Sequence, residues 1–198
     1  MRTRFRSHTL LCTLGLLLAP QAVRAHNFTG SNELGGMIGG QIGVHEAPGG
    51  AKLFNEYGYR LSNTGWLNLQ LNLTFGGGRD CVVVSPSGNL ECGAFNGEAI
   101  ELIAGVKFKF PTRHERLVPY AKVGGGLSFV FFPGPDNDGV AAVFRGGGGV
   151  KYYVIPALAV GGEMDMEFGP GFLACGRSCT TTDLFFGIDI AGGIEWNF

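Results

Sequence analysis

The last stretch of the chain constrains the fold most. Read with the two-residue period of a strand, it places Leu184, Phe186, Ile188, Ile190, Gly192, Ile194, Trp196 and Phe198 on one face. Asp183, Phe185, Gly187, Asp189, Ala191, Gly193, Glu195 and Asn197 fall on the other, so an oily face backs onto one that is mostly small or charged. The run is far longer than the about 5–6 residues usual in a soluble sheet. A tilted strand that crosses a bilayer and projects past it needs this length. Trp196 and Phe198 then stand at its end, where an interfacial aromatic girdle sits.

The same period recurs upstream and predicts seven more strands, at Glu33 to Val44, Lys52 to Leu61, Gly65 to Phe75, Glu98 to Phe110, Leu117 to Phe131, Val140 to Val154 and Ala157 to Phe168. The cleanest has Leu67, Leu69, Leu71, Leu73 and Phe75 alternating with Asn68, Gln70, Asn72 and Thr74. The connections alternate in length: those at Ser62 to Thr64, Pro111 to Arg116 and Ile155-Pro156 are short, and those at His45, Gly76, Phe132 and Gly169 are longer. The stretch from Gly76 to Gly97, which opens on three glycines, is expected to be irregular. An even number of strands with alternating connections predicts an all-β fold, an eight-stranded antiparallel up-and-down transmembrane β-barrel.

Alternation alone leaves open which face is inside, because a soluble barrel buries its apolar face. Three features set the apolar face outward. The chain holds 35 glycines, which a narrow lumen needs to accommodate long side chains and a wetted exterior does not. The polar-face charges come in both signs: Arg60, Lys107, Lys109, Lys122, Arg145 and Lys151 with Glu56, Glu101, Glu163, Asp165, Glu167, Asp189 and Glu195. The apolar face ends in aromatics. These thirteen residues are expected to form a lumen charge network, and since an eight-stranded cylinder is just wide enough for side chains to fill, it is expected not to conduct. A small-solute channel is the reading this opposes.

At the amino end, Arg2, Arg4 and Arg6 precede the apolar run Leu10 to Ala19 and then Val23-Arg24-Ala25, the layout of a cleaved export signal. Residues 1–25 are read as that signal and 26–198 as the barrel domain. The run is too short to span as a helix, and Cys12 sits inside it rather than at a lipidation site. Of 15 basic residues four lie in the signal, leaving 11 against 16 acidic ones, a balance that argues against nucleic acid as a partner. Four cysteines remain, Cys81, Cys92, Cys175 and Cys179. An even number in an exported chain predicts disulfides; three pairings exist, and proximity favours Cys81 with Cys92 and Cys175 with Cys179. Neither pair has zinc-knuckle spacing, and nothing calls for a metal or cofactor.

The glycine runs at Gly76 to Gly78, Gly124 to Gly126 and Gly146 to Gly149 lead to no Lys-Ser/Thr and no helix, so they are read as packing rather than phosphate loops. Glu163, Asp165 and Glu167 make an acidic row that Arg145 and Lys151 of the preceding strand are expected to neutralise. His114-Glu115 lacks the second histidine of a zinc protease motif. A catalytic serine would need a histidine and a carboxylate at the longer-loop rim; only His45 with Glu46, and Ser85 or Ser87, are placed to supply them. No catalytic residue is assigned.

The ending Gly193-x-x-Trp196-x-Phe198 resembles the carboxyl-terminal assembly signal of bacterial outer-membrane β-barrels, with Ala191 where that family usually has a polar residue. Over residues 33–198 the pattern resembles the small OmpA/OmpX-type barrel domains. The resemblance implies a bacterial outer-membrane location with both termini periplasmic, contact with outer-membrane lipid and lipopolysaccharide, and delivery by the outer-membrane assembly machinery. It also implies a structural or surface-binding role, through the loops at Gly76 to Gly97 and Gly169 to Thr182, with lipid A modification as the enzymatic alternative.

Overall fold

The computed structural model describes residues 30–45, 47, 49–83, 90–114, 116–131, 138–174 and 180–198. Residues 1–25, read above as an export signal, and Glu46, Ser85, Ser87, Glu115, Cys175 and Cys179 lie outside them. Eight strands follow one another: β1 (Asn32–His45), β2 (Gly50–Arg60), β3 (Gly65–Val83), β4 (Leu90–Lys109), β5 (Leu117–Phe131), β6 (Gly139–Ile155), β7 (Leu158–Ala174) and β8 (Thr180–Asn197). Each pairs antiparallel with the next, and β1 closes on β8 from Glu33 opposite Asn197 to His45 opposite Phe185. Closure leaves no open sheet edge around the cylinder, so its backbone groups are paired within the wall. The expected eight-stranded antiparallel barrel is thus the fold.

Both ends of the described chain and the short links lie at one end of the cylinder, the turn end. There Leu61 and Ser62 donate their amides to the Gly65 carbonyl at 2.9 and 3.0 Å, while Asn32 and Phe198 exchange two backbone hydrogen bonds at 2.9 and 3.0 Å. The connections after β1, β3, β5 and β7 lie at the opposite, loop end. Contrary to expectation they are not consistently longer, with four residues between β1 and β2 as between β2 and β3, and seven between β5 and β6 as between β4 and β5. The β3–β4 pairing takes up much of its expected loop.

The structure corrects the stretch from Gly76 to Gly97, which is not irregular throughout. The β3–β4 ladder runs on from Gly76 opposite Gly97, through Cys81 opposite Cys92, to Val83 opposite Leu90. The pairings of β3 with β2 and of β4 with β5 end at Phe75 and Glu98, so among the described residues this part of the hairpin is paired only with itself. At about 3.3 Å per residue it forms an arm of roughly 26 Å. The glycines read as breakers because they bring no side chains, but ladder hydrogen bonds need only backbone. At Gly76 a Cβ would lie 2.2 Å from the Gly49 carbonyl oxygen, so the bare backbone is what lets the strands pass here.

β7 and β8 also outrun their expected ends. The ladder from β7 to β6 is interrupted between Phe168 and Gly171, beside Pro170, which has no amide hydrogen to give. On its other side Pro170 still stands opposite Leu184, and pairing continues to Ala174 opposite Thr180.

Strand alternation sorts the side chains by face. Outward-pointing Ile38 is 70% exposed and Ile194 59%, whereas inward-pointing Lys52, Lys107, Lys109, Glu33, Glu101 and Glu167 are wholly buried. Outward aromatics collect at two levels. Tyr57, Tyr59, Phe108, Phe110, Tyr152, Trp196 and Phe198 ring the turn end, and Phe75, Phe129, Phe131, Phe144 and Phe168 ring the loop end.

Candidate functional site

The chemistry of this molecule is concentrated in the lumen. Two apolar plugs bound it: Trp66, Val118, Tyr153 and Ala159 at the turn end, and Ala47, Ala99, Ile103, Val130, Ala141, Val143 and Phe185 at the loop end. Among the described residues, six buried cations and eight buried carboxylates lie between them.

The turn half is charge balanced, with Lys107, Lys109 and Lys151 against Glu33, Glu56 and Glu195. Lys107 pairs with Glu33 and Glu56 and reaches Glu195 at 3.5 Å; Lys109 pairs with Glu33 and lies 3.3 Å from Glu195; Lys151 pairs with Glu195. Oxygens of the three glutamates lie within 4.8 Å of one another, close enough to share a cation, and lysine ammonium groups already serve there. Aromatic rings floor the site: Lys109 Nζ stands 4.2 Å from the Trp66 ring centre and Lys151 Nζ 4.7 Å from that of Tyr120. Cation–π attraction gains strength where water is excluded.

Lys122 links the halves, reaching Glu163 at 2.7 Å, Asp165 at 3.0 Å and Glu56 at 3.7 Å. In the loop half Lys52 meets Glu101 and Glu167 at 2.8 Å and Asp189 at 3.1 Å. Arg145 meets Asp165 and Glu167 at 2.8 Å and Asp189 at 3.1 Å. Amides and a hydroxyl complete the array, as Gln70 donates to Glu56, Asn72 to Glu101, Gln41 to Glu167 and Thr74 to Gln41. Phe54 lies between the two cations, 5.4 Å from Lys52 and 4.9 Å from Arg145.

Twelve of the thirteen residues expected in the lumen are buried there, and Arg60 is not. It closes β2 opposite Trp66, whose ring fills the end of the lumen, so the guanidinium turns to the rim and donates to the Ser62 carbonyl at 3.2 Å and Asn63 Oδ1 at 3.1 Å. The pairing of the acidic row also needs correcting. Arg145 takes Asp165 and Glu167, but Glu163 goes to Lys122 and Lys151 goes to Glu195 and, at 3.8 Å, Glu56. The ladder explains this, since Lys151 stands opposite Gly161 and its side chain passes over that glycine, where a Cβ would lie 3.3 Å from Lys151 Cγ, to reach Glu195 on β8.

Glu33 and Lys52 were missed because they sit at strand starts, although Lys52 is in phase with Glu56 on β2 and Glu33 with Gln41 on β1. Glu33 crosses its ladder partner Gly58, where a Cβ would come within 2.3 Å of Glu33 Cγ.

Of the remaining sequence candidates, Trp196 and Phe198 point outward at the turn end. Gly193 lets β1 approach, since a Cβ there would lie 2.1 Å from the Gly36 carbonyl oxygen. Cys81 stands opposite Cys92 in the arm. The backbone of His45 lies opposite Phe185 at the loop end.

No protein-family model matches the chain, and no curated protein matches it in sequence. Solved structures do resemble it. Neisserial surface protein A is 13% identical, with a TM-score of 0.57 over 84% of this chain and 96% of that one. The N-terminal β-barrel domain of OprF from Pseudomonas aeruginosa is 18% identical, with a TM-score of 0.52 over 86% of this chain and all of that one. At these identities the likeness is one of fold, that of small eight-stranded outer-membrane barrels.

Proposed function

We propose that this chain is an integral protein of the bacterial outer membrane with a structural or surface-binding role. The observation that carries this reading is the inversion of its surfaces, with Lys52, Lys107, Lys109 and Glu167 wholly buried while Ile38, Ile42 and Ile190 are 58–70% exposed. In water that distribution wastes apolar area and desolvates charge; in a bilayer it satisfies both the exterior and the backbone. Outer-membrane lipid and lipopolysaccharide cover the outward band. The assembly machinery reads the Gly193, Trp196 and Phe198 ending, and nucleic acid is not a partner.

The asymmetry of the ends supports an orientation with both termini in the periplasm and the β3–β4 arm outside the cell. The arm is then the natural binding element, standing clear of lipid with Cys81 and Cys92 paired as a disulfide across its ladder. Chemistry on a bound substrate is not part of this reading.

Membrane fractionation with heat-modifiable migration, combined with protease treatment of intact cells, tests it. Carbonate-resistant, heat-modifiable protein nicked in the 84–89 connection by external protease is expected. A soluble product, or an arm cut only in broken cells, would overturn the location or the orientation. Lipid A acyl composition that changes with the gene and reverts in His45→Ala would instead establish an enzyme.

A further inference from the structure

The lumen accounts for the inward charges, yet one polar side chain faces the other way. Asn55 points outward from β2, and Leu53 and Tyr57, its nearest neighbours on that face of the strand, are apolar or aromatic. Four residues along the strand in one direction is Tyr59, in the turn-end girdle; four in the other is Ala51, paired with Phe75 of the loop-end girdle. Asn55 therefore lies between the girdles, nearer the turn-end one, to which Tyr57 two residues along also belongs. Among the described strand residues it is the only outward amide, hydroxyl or charge between them. Its sole described hydrogen bond is a long one, 3.4 Å from Nδ2 to the Leu71 carbonyl. Inside the girdles hydrocarbon takes the place of water, and an amide left short of partners there is costly.

The surface beside it has an unusual relief. Asn55 is paired with Gly36, where a Cβ would meet nothing within 4 Å. Ile38, the most exposed of the large apolar residues described, stands between outward-facing Gly36 and Gly40 and opposite Gly192. One isoleucine knob is thus set among glycine hollows, with an amide at the edge.

We infer that this β1–β2 face is where a second copy of the chain docks in the membrane, about a two-fold axis that brings Asn55 against Asn55. A carboxamide carries both donor and acceptor, so it is complementary to itself, and two-fold pairing satisfies both copies with two reciprocal hydrogen bonds. The same rotation lets each Ile38 enter the glycine hollows of the other copy, the combination of small residues and a polar contact that associates proteins in lipid. The inference rests on the membrane reading above.

The test uses the mature protein, labelled with donor or acceptor dye and refolded into phosphatidylcholine vesicles at graded lipid-to-protein ratios. Carbonate extraction and heat-modifiable migration come first; failure there refutes the membrane reading and not merely the dimer. For inserted protein, energy transfer should fit a monomer–dimer equilibrium. Asn55→Leu should weaken it about tenfold, as two hydrogen bonds of the strength found in lipid imply. Gly36→Leu, which keeps the amide and fills the hollow, should weaken it at least as much, and Leu127→Ala on the far wall should leave it unchanged. Monomeric wild type at every ratio overturns the proposal. So does a dimer that both β1–β2 variants leave intact, and so does a bis-maleimide adduct of Asn55→Cys in cells that joins a different protein.

Discussion

Asp165 and Asp189 stand directly opposite each other across the β7–β8 ladder, and each brings its Oδ2 to the same Arg145 nitrogen, at 2.8 and 3.1 Å. Two like charges on facing rungs repel, so the guanidinium between them holds this part of the wall together.

Arg145→Met should therefore destabilise the barrel by about 3–5 kcal/mol, since it strands buried carboxylates. Asp189→Asn should cost about 1 kcal/mol or less, because eight buried carboxylates face six cations and losing one negative charge relieves the excess. Urea unfolding in vesicles, followed by the heat-modifiable shift, gives both values. The reverse order would show that Arg145 is not the group that relieves this repulsion.

The filled lumen predicts the absence of a steady porin-sized conductance in planar bilayers. Removing a linked pair, Lys122→Ala with Glu163→Ala, should open a water path where the two halves of the array meet, and produce small flickering currents. Large steady currents from the unmodified protein would assign it to transport.

The arm gives a redox prediction. A two-stranded hairpin standing alone is marginally stable, and directly opposed residues of an antiparallel ladder have Cα atoms about 4.5–5.5 Å apart, within disulfide range. Peptide mapping under non-reducing conditions should find Cys81 bonded to Cys92. Reduction should extend cleavage from the 84–89 connection into the paired strands at 76–83 and 90–97 and leave barrel unfolding unchanged. A Cys81 to Cys175 bridge would refute the pairing.

The carboxyl end closes the β1–β8 seam. Phe198 exchanges two backbone hydrogen bonds with Asn32 and adds an outward aromatic at the turn end. Deleting Phe198, or replacing Trp196 and Phe198 by Ala, should lower outer-membrane levels several-fold, read by fractionation against a co-expressed barrel. Normal levels would show that neither the seam nor the aromatic ending limits assembly.

The strand count, the faces and most lumen charges were legible in the sequence because a strand has a period of two. The in-phase polar residues of β4, Glu101, Lys107 and Lys109, could face only one side of the wall. That periodicity is local, and it fixes direction without fixing a partner. Which cation meets which carboxylate depends on how the closed register staggers the strands, and so Lys151 finds Glu195 two strands away, over Gly161, while Glu163 finds Lys122. Length behaves similarly: β3 and β4 continue through Gly76 to Gly78 because each supplies the other's backbone partners, which no local pattern encodes. Arg60 leaves the network because Trp66, its ladder neighbour, occupies the space its phase allotted. The sequence alone determined an alternating eight-stranded chain, oily on one side and charged on the other. The tertiary structure decided the pairing of the charges, the reach of the arm and the place of Asn55 beside Gly36, because each depends on residues brought together only when the strands pair and set their registers.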